Sequence, residues 1–369
     1  MRVLSFLMAV IVASMLVACS DDGGDETTAT PTSGAPTGEA TETATSTPSQ
    51  AGETRELVLL THDSFDARDD VIAAFEAQNN ATVTILKGGD ANEVVNRAIL
   101  NAGNPEGDLL FGADNLTYER AVEAGVFEAY AAAGRDALVP DALTAIGDSD
   151  LVTPIDYGFV DLNLDLGAGL EPPATFEDLT TEAYNGTLVV EDPSTSSPGL
   201  QFLASTVAYF GEDGDYTWRD FWADLRANDV LVSDGWTDAY YTQFSLAGGD
   251  RPLVVSYTTS PAAEVFFGEL EEPPTANVVP GPLFRQVEVA GVLAGANEPE
   301  LARAFIDFML TEEFQTQIPE TMFVYPALPG TTPPEWWRWA ELEVEPAAIE
   351  ATQDDIDRWV SEWTETMRR

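Results

Sequence analysis

Glu56-Leu-Val-Leu-Leu-Thr61, Ala81-Thr-Val-Thr-Ile-Leu86 and Asp108-Leu-Leu-Phe-Gly112 are three short apolar runs of strand type. Between them, 69–78 and 91–102 space their apolar residues as helices do. The rhythm is β-α-β-α-β, which predicts a parallel, doubly wound sheet with helices on its faces. Ligands of such sheets sit at the carboxyl ends of the strands. His62-Asp63-Ser64 and Asp114-Asn115 stand at two such ends. Helix capping accounts for both sets equally well.

Further along, Ile155-Asp-Tyr-Gly-Phe-Val-Asp-Leu-Asn163 reads as an extended segment entering a second lobe. That lobe contains Glu191-Asp-Pro-Ser-Thr-Ser-Ser-Pro-Gly-Leu200, between a strand-like run (187–190) and a helix-like one (200–209). Pro198 suits a first helical turn. The hydroxyls of Ser194, Thr195, Ser196 and Ser197, with the free N–H groups of a helix start, suit an anion or a polar ligand edge. A capped helix without ligand explains the loop equally well. Leu253-Val-Val-Ser-Tyr-Thr-Thr-Ser-Pro-Ala262 repeats the chemistry, with Tyr257, Thr258, Thr259 and Ser260 at its strand end. Two such junctions in one lobe favour a ligand site.

Aromatic residues need the same weighing. Trp218 and Trp222 share one face of a helix over 216–227 and are expected in the core. Trp236, Tyr240 and Tyr241 are candidates for a stacking wall. Phe284-Arg-Gln-Val-Glu-Val-Ala-Gly-Val-Leu293 is a strand suited to cross back to the first lobe, and 300–310 is an amphipathic helix. Phe323-Val-Tyr-Pro326 reads as a cleft-lining turn. Trp336, Trp337, Trp339, Trp359 and Trp363 suggest a closing helix packed on lobe one.

The amino terminus speaks to place. Residues 1–19 carry one positive residue, an apolar run too short to span a membrane comfortably, and Leu16-Val-Ala-Cys19. That ending resembles a bacterial lipobox, which implies lipidation of Cys19. Cys19 is the single cysteine, so no disulfide framework is expected. Residues 20–54 are rich in Thr, Ser, Pro and acid and read as a disordered stalk. The mature body, from about residue 55, is long enough for two lobes.

Sixteen Lys and Arg stand against 64 Asp and Glu, a net charge of −48, and Lys87 is the single lysine. This balance argues against a nucleic-acid partner, whose phosphates need basic side chains. It is compatible with a cationic ligand. The sole histidine, His62, rules out a multi-histidine metal site. No phosphate loop of the Gly-x4-Gly-Lys type and no dinucleotide glycine fingerprint occurs. A Ser nucleophile at Ser64 or in the 194–197 loop would lack a base, so no catalytic residue is assigned and no enzyme is expected.

These motifs have a family likeness. Thr61-His-Asp-Ser-Phe65, Gly112-Ala-Asp-Asn115, Pro154-Ile-Asp-Tyr-Gly158, the 191–200 stretch, Gly235-Trp-Thr-Asp-Ala-Tyr240, Val255-Ser-Tyr-Thr-Thr-Ser-Pro-Ala262, Gln286-Val-Glu-Val-Ala290 and Tyr325-Pro326 fall in one order. From about residue 56 onward the chain resembles the thiamine-binding, substrate-binding proteins of bacterial ABC importers. The resemblance implies an α/β, two-lobed type II periplasmic-binding-protein fold. Each lobe would be a mixed sheet flanked by helices, with the ligand in the interlobe cleft. It places lobe 1 at 55–155 and 288–369 and lobe 2 at 156–287. It implies capture of thiamine or a thiamine phosphate and delivery to a membrane permease with a cytoplasmic ATPase. The protein would act as a monomer outside the cytoplasmic membrane, with no cofactor or metal.

The resemblance also implies site residues. Trp236, Tyr240 and Tyr257 would stack on the ligand. Phe323 stands where the family often has Trp, with Tyr325 beside it. Thr195, Ser196 and Ser197 would face a phosphate, and Asp63, Asp114 and Asp156 the aminopyrimidine. Ser64, Asn115, Tyr157, Thr258 and Ser260 complete the expected set. Ferric-ion or polyamine binding on the same fold is the alternative. A ferric site would want two adjacent tyrosines where this chain has Tyr257-Thr258; the adjacent pair Tyr240-Tyr241 lies in a helical segment.

Overall fold

In the computed structural model, which describes residues 54–147, 149–340 and 351–368, the three strand-like runs lie side by side. β1 (Arg55–Thr61), α1 (Asp69–Asn79), β2 (Ala81–Lys87), α2 (Ala91–Leu100) and β3 (Leu109–Asp114) form the expected unit, with β2-β1-β3 parallel. α3 (Tyr118–Glu123), β4 (Phe127–Glu128) and α4 (Pro140–Ala145) follow. β5 (Thr153–Asp165) then leaves for the second lobe. That lobe holds β6 (Leu188–Glu191), α5 (Ser197–Phe210), α6 (Trp218–Ala227), β7 (Leu231–Ser233), α7 (Trp236–Asp238), β8 (Leu253–Tyr257), α8 (Ser260–Gly268) and β9 (Thr275–Val278). β10 (Arg285–Leu293) returns, followed by α9 (Pro299–Met309), α10 (Glu312–Gln315), α11 (Ile318–Thr321), β11 (Tyr325–Pro326) and α12 (Gln353–Arg368). Cys19, the 1–19 leader and the stalk up to residue 53 lie outside the described residues.

The strand order β2-β1-β3-β10-β5-β8-β6-β7 explains how two lobes share one chain. β10 runs antiparallel to both β3 and β5, so the first-lobe sheet is mixed rather than purely parallel. β5 is long enough to serve both sides. Its residues 153–159 pair with β10, and its residues 160–165 pair with β8 and β9. The second lobe repeats the pattern, with β8-β6-β7 parallel and β5 antiparallel to β8.

Each lobe buries its own core. Leu57, Leu59, Phe75, Phe111 and Phe305 fill one face of the first sheet; Leu60, Val95, Leu110 and Val289 fill the other. Trp218, Phe221 and Trp222 pack with Phe176 and Phe202 in the second lobe, as the helical spacing predicted. The carboxyl-terminal helix departs from expectation. Ile356, Trp359 and Trp363 of α12 enter the second-lobe core, and Trp363 meets Trp222 edge-on at 5.5 Å. The first sheet already has α1, α2 and α9 against it. The apolar stripe of α12 therefore finds its space beside α6, not on lobe one. Glu212 of the second lobe, held by Arg358 and Arg219, anchors the helix there.

Candidate ligand-binding site

A cavity of about 680 Å³ lies between the lobes, within the usual size range of small-molecule sites. Its position follows from the topology: the carboxyl ends of β1, β2 and β8 all open into it. His62, Asp63 and Ser64 come from the end of β1, Lys87 from the end of β2, and Asp90 from the start of α2. Ser197 and Pro198 open α5, and Thr259 and Ser260 stand at the start of α8. Gln286 and Glu288 face in from β10.

The aromatic wall is held by hydrogen bonds. Trp236 donates its indole N–H to Ser256 at 2.8 Å, and the Ser256 and Ser260 hydroxyls are 2.8 Å apart. Its backbone N–H donates to Asp90 at 2.7 Å across the lobes. Tyr240 stacks on Trp236, with centroids 5.0 Å apart and 21° between planes. Tyr240 is 8% exposed and backs the indole rather than standing free. Tyr257 meets Trp236 at 66° and 6.4 Å, forming a corner. Gly158 makes room for it, because a Cβ there would sit 2.9 Å from the Tyr257 ring. On the far rim Phe323 packs on Phe267 at 4.9 Å.

The polar floor is acidic. In the sheet register Glu288 lies opposite Asp114 on one side and Asp156 on the other. Like charges placed directly across strands repel, and each member is handled differently. Asp114 accepts from Ser197, the Leu116 N–H and Thr117. Burial raises its pKa, and these bonds partly offset the rise. Asp156 has no donor on either oxygen. Burial, and then the adjacent Glu288, push its pKa well above the ordinary carboxylate value. Glu288 pairs with His62 at 3.3 Å. Burial opposes charge on His62, yet Glu288 outweighs it and the imidazole pKa rises. Gly112, at φ +108°, makes this possible, since a Cβ there would lie 2.3 Å from the His62 ring.

Two more carboxylates face the cavity. Burial raises Glu264 to about 7, although Thr275 and Tyr240 donate hydroxyls to it. Burial also raises Asp90, against N–H bonds from Trp236 and Ala91. The Lys87 ammonium donates to the Asp63 carbonyl at 2.9 Å. Aromatic faces and carboxylates around a half-open chamber suit a flat, cationic molecule.

Of the expected site residues, Asp63, Ser64, Ser197, Trp236, Tyr240, Tyr257, Ser260 and Phe323 line the cavity. The others do not. Asp114 and Asp156 lie behind Ser197 and Glu288. Asn115 accepts the Val287 N–H and fixes β10. Tyr157 points to the opposite face of β5 from Asp156, where it stacks on Tyr325 at 5.2 Å beneath Arg285. Tyr325 donates to the Ala340 carbonyl. Thr195 donates to backbone carbonyls of Asp192 and Asp234, and Ser196 is fully buried. Thr258 is buried, its carbonyl accepting from Asn277. Of the three hydroxyls expected to face a phosphate, Ser197 lines the cavity, and Thr195 and Ser196 do not. Asp90, Glu264, Gln286 and Glu288 were missed. The alternation of Gln286 and Glu288 in an apolar strand was the available signal, since it puts both on one face.

A two-lobed α/β chain whose lobes are joined by crossing strands and close over one chamber defines the solute-binding proteins of type II periplasmic-binding-protein fold. The chain matches the bacterial extracellular solute-binding protein family over residues 70–344 and belongs to it. It therefore works outside the cytoplasm. It is 30% identical to a thiamine-binding periplasmic protein of Escherichia coli (strain K12) over 323 residues, 85% of this chain and 94% of that one. A solved periplasmic thiamin binding protein superposes with a TM-score of 0.74 at 28% identity, over 87% of this chain and 99% of that one. A ferric binding protein from Campylobacter jejuni shares the fold, at TM-score 0.66 and 16% identity over 85% of this chain and 98% of that one.

Proposed function

We propose that this protein captures thiamine, or a thiamine phosphate, in the interlobe cavity and hands it to a membrane permease driven by a cytoplasmic ATPase. The observation that carries this is the pairing of Trp236 with Asp90, Glu264 and Glu288 around one chamber. A thiazolium over an aromatic face gains roughly 0.5–2 kcal/mol, more as water is excluded. Carboxylates supply counter-charge and acceptors for an exocyclic amine. The names of the relatives support the same ligand. In this reading the protein is a monomeric, non-catalytic binder without a cofactor, tethered by a lipid on Cys19.

Calorimetric titration with thiamine, its monophosphate and its diphosphate tests the proposal. The protein is first unfolded and refolded to remove carried-over ligand. Near-stoichiometric binding of one of the three is the expected result. No heat and no thermal shift with any of them would overturn it. Ferric iron is the control, because Tyr240, Tyr241 and Tyr257 all reach the cavity. Burial pushes the phenols of Tyr240 and Tyr257 well above their ordinary range, which disfavours phenolate ligands. Among the described residues no group of three His, Cys, Asp or Glu side chains is placed to hold a metal. A visible charge-transfer band on adding ferric iron would favour the iron alternative.

A further inference from the structure

The 193–197 loop, which reaches the cavity only at Ser197, is gripped from the first lobe at five successive residues. Asn92 donates its side-chain amide to the Pro193 carbonyl at 3.0 Å and to the Ser196 carbonyl at 3.1 Å. Asn96 donates to the Ser194 carbonyl at 3.4 Å. The backbone N–H groups of Asn92 and Glu93 both donate to the Thr195 carbonyl, at 3.0 and 3.2 Å. Ser197 donates its hydroxyl to Asp114. All the groups reaching out belong to α2 or β3 in lobe one, and the loop belongs to lobe two. The first turn of α2 has N–H groups that its own helix cannot satisfy. Here one carbonyl oxygen of the other lobe, that of Thr195, satisfies two of them.

Asn92 is the centre of this contact. Its side chain is 1% exposed and does not line the ligand cavity, whereas Ala91 before it and Ser197 after the loop do. It makes two of the interlobe bonds with its amide and a third with its backbone N–H. We infer that Asn92 is a closure latch. It docks the 193–196 backbone when the lobes shut and sets how long the ligand is retained, without touching the ligand. The inference rests on the capture function proposed above, and on the lobes parting to admit the ligand. The latch requires that opening break these bonds and expose their partners to water. Closing without the Asn92 amide buries the Pro193 and Ser196 carbonyls unpaired.

Asn92→Ala keeps helix propensity in α2 and isolates the latch. In stopped-flow with thiamine, the account expects dissociation faster by at least about fivefold, with association changed by less than about twofold. A merely structural role for Asn92 would instead lower the melting temperature of ligand-free protein and leave dissociation alone. Unchanged dissociation from a variant that still binds overturns the latch. Failure of the unaltered protein to bind thiamine counts against the ligand assignment instead. A second measurement needs no ligand. Spin labels are placed on cysteines at Leu100 and Leu166, exposed points on the two lobes, in a Cys19→Ser background. The short-distance, closed population is expected to fall by at least about fivefold in Asn92→Ala. Equal populations with and without the substitution, including none in either, overturn the latch.

Discussion

The junctions 191–200 and 253–262 have nearly the same chemistry and opposite fates. Both run from a strand through Ser and Thr residues into a helix with Pro in its first turn. At the second, Tyr257, Thr259 and Ser260 line the cavity, and Ser256 orients Trp236. At the first, the Thr195 hydroxyl is held by backbone carbonyls, Ser196 is buried, and the backbone of 193–196 is bound by lobe one. The difference comes from what stands opposite. α8 opens into the chamber between the lobes, whereas α5 reaches it at Ser197 and Pro198 with α2 and Asp114 packed against its start. A hydroxyl-rich helix start is thus a set of donors and acceptors whose partner is chosen by the tertiary fold.

The comparison can be broken or sharpened by substitution. Trp236→Ala removes the cavity's principal aromatic face and is expected to weaken thiamine binding by at least about tenfold; wild-type affinity by calorimetry would remove Trp236 from the site. Glu288→Gln takes away a carboxylate facing the cavity and the partner of His62. A loss of roughly three- to tenfold for cationic thiamine is expected, and an uncharged analogue lacking the thiazolium charge should not register it.

Ser260→Ala breaks the hydroxyl chain that holds Ser256 and the Trp236 indole. Its expected cost is about two- to fivefold in thiamine affinity. Thr195→Ala, the matching change at the first junction, should alter affinity by less than about twofold, because its hydroxyl faces backbone carbonyls and not the cavity. Equal costs for the two would erase the distinction between the junctions.

The smallest effect concerns pH. Glu264, raised to about 7 by burial, holds its proton more tightly folded than unfolded. Its contribution to ligand-free stability is therefore full below the ordinary carboxylate pKa and is lost as pH rises through about 7. Binding runs the other way, since Glu264 gains the charge that attracts a cation above about 7. Melting curves and titrations between about pH 6 and 8 should show both trends in the native protein and weaken both in Glu264→Gln, leaving the part that belongs to His62, whose raised pKa acts in the same direction.

Most of the fold was legible because its signals are local. Alternation of strand runs and helical spacing placed β1 to β3 and their helices within a residue or two. The site was half legible. Trp236, Tyr257 and Ser260 were found because they sit at a strand end or beside one. Asp114 was expected to meet ligand for the same reason and Asp156 because the resemblance implied it, but which face of a strand looks into a cleft depends on the neighbouring strand. Glu288, placed between them by the register of β10, is the member that faces the cavity. The tail was misplaced because a stripe of Trp residues says only that a helix packs, not on which core. The apolar stripe of α12 fitted the gap beside Trp222.

The most direct test of the account is a crystal structure of the protein with thiamine. The account predicts the ring system on the cavity face of Trp236, within reach of Tyr257 and Glu288, with no ligand atom in hydrogen-bonding distance of the Thr195 or Ser196 hydroxyls. Ligand bound outside this chamber, or a tail held by Thr195 and Ser196, would contradict it.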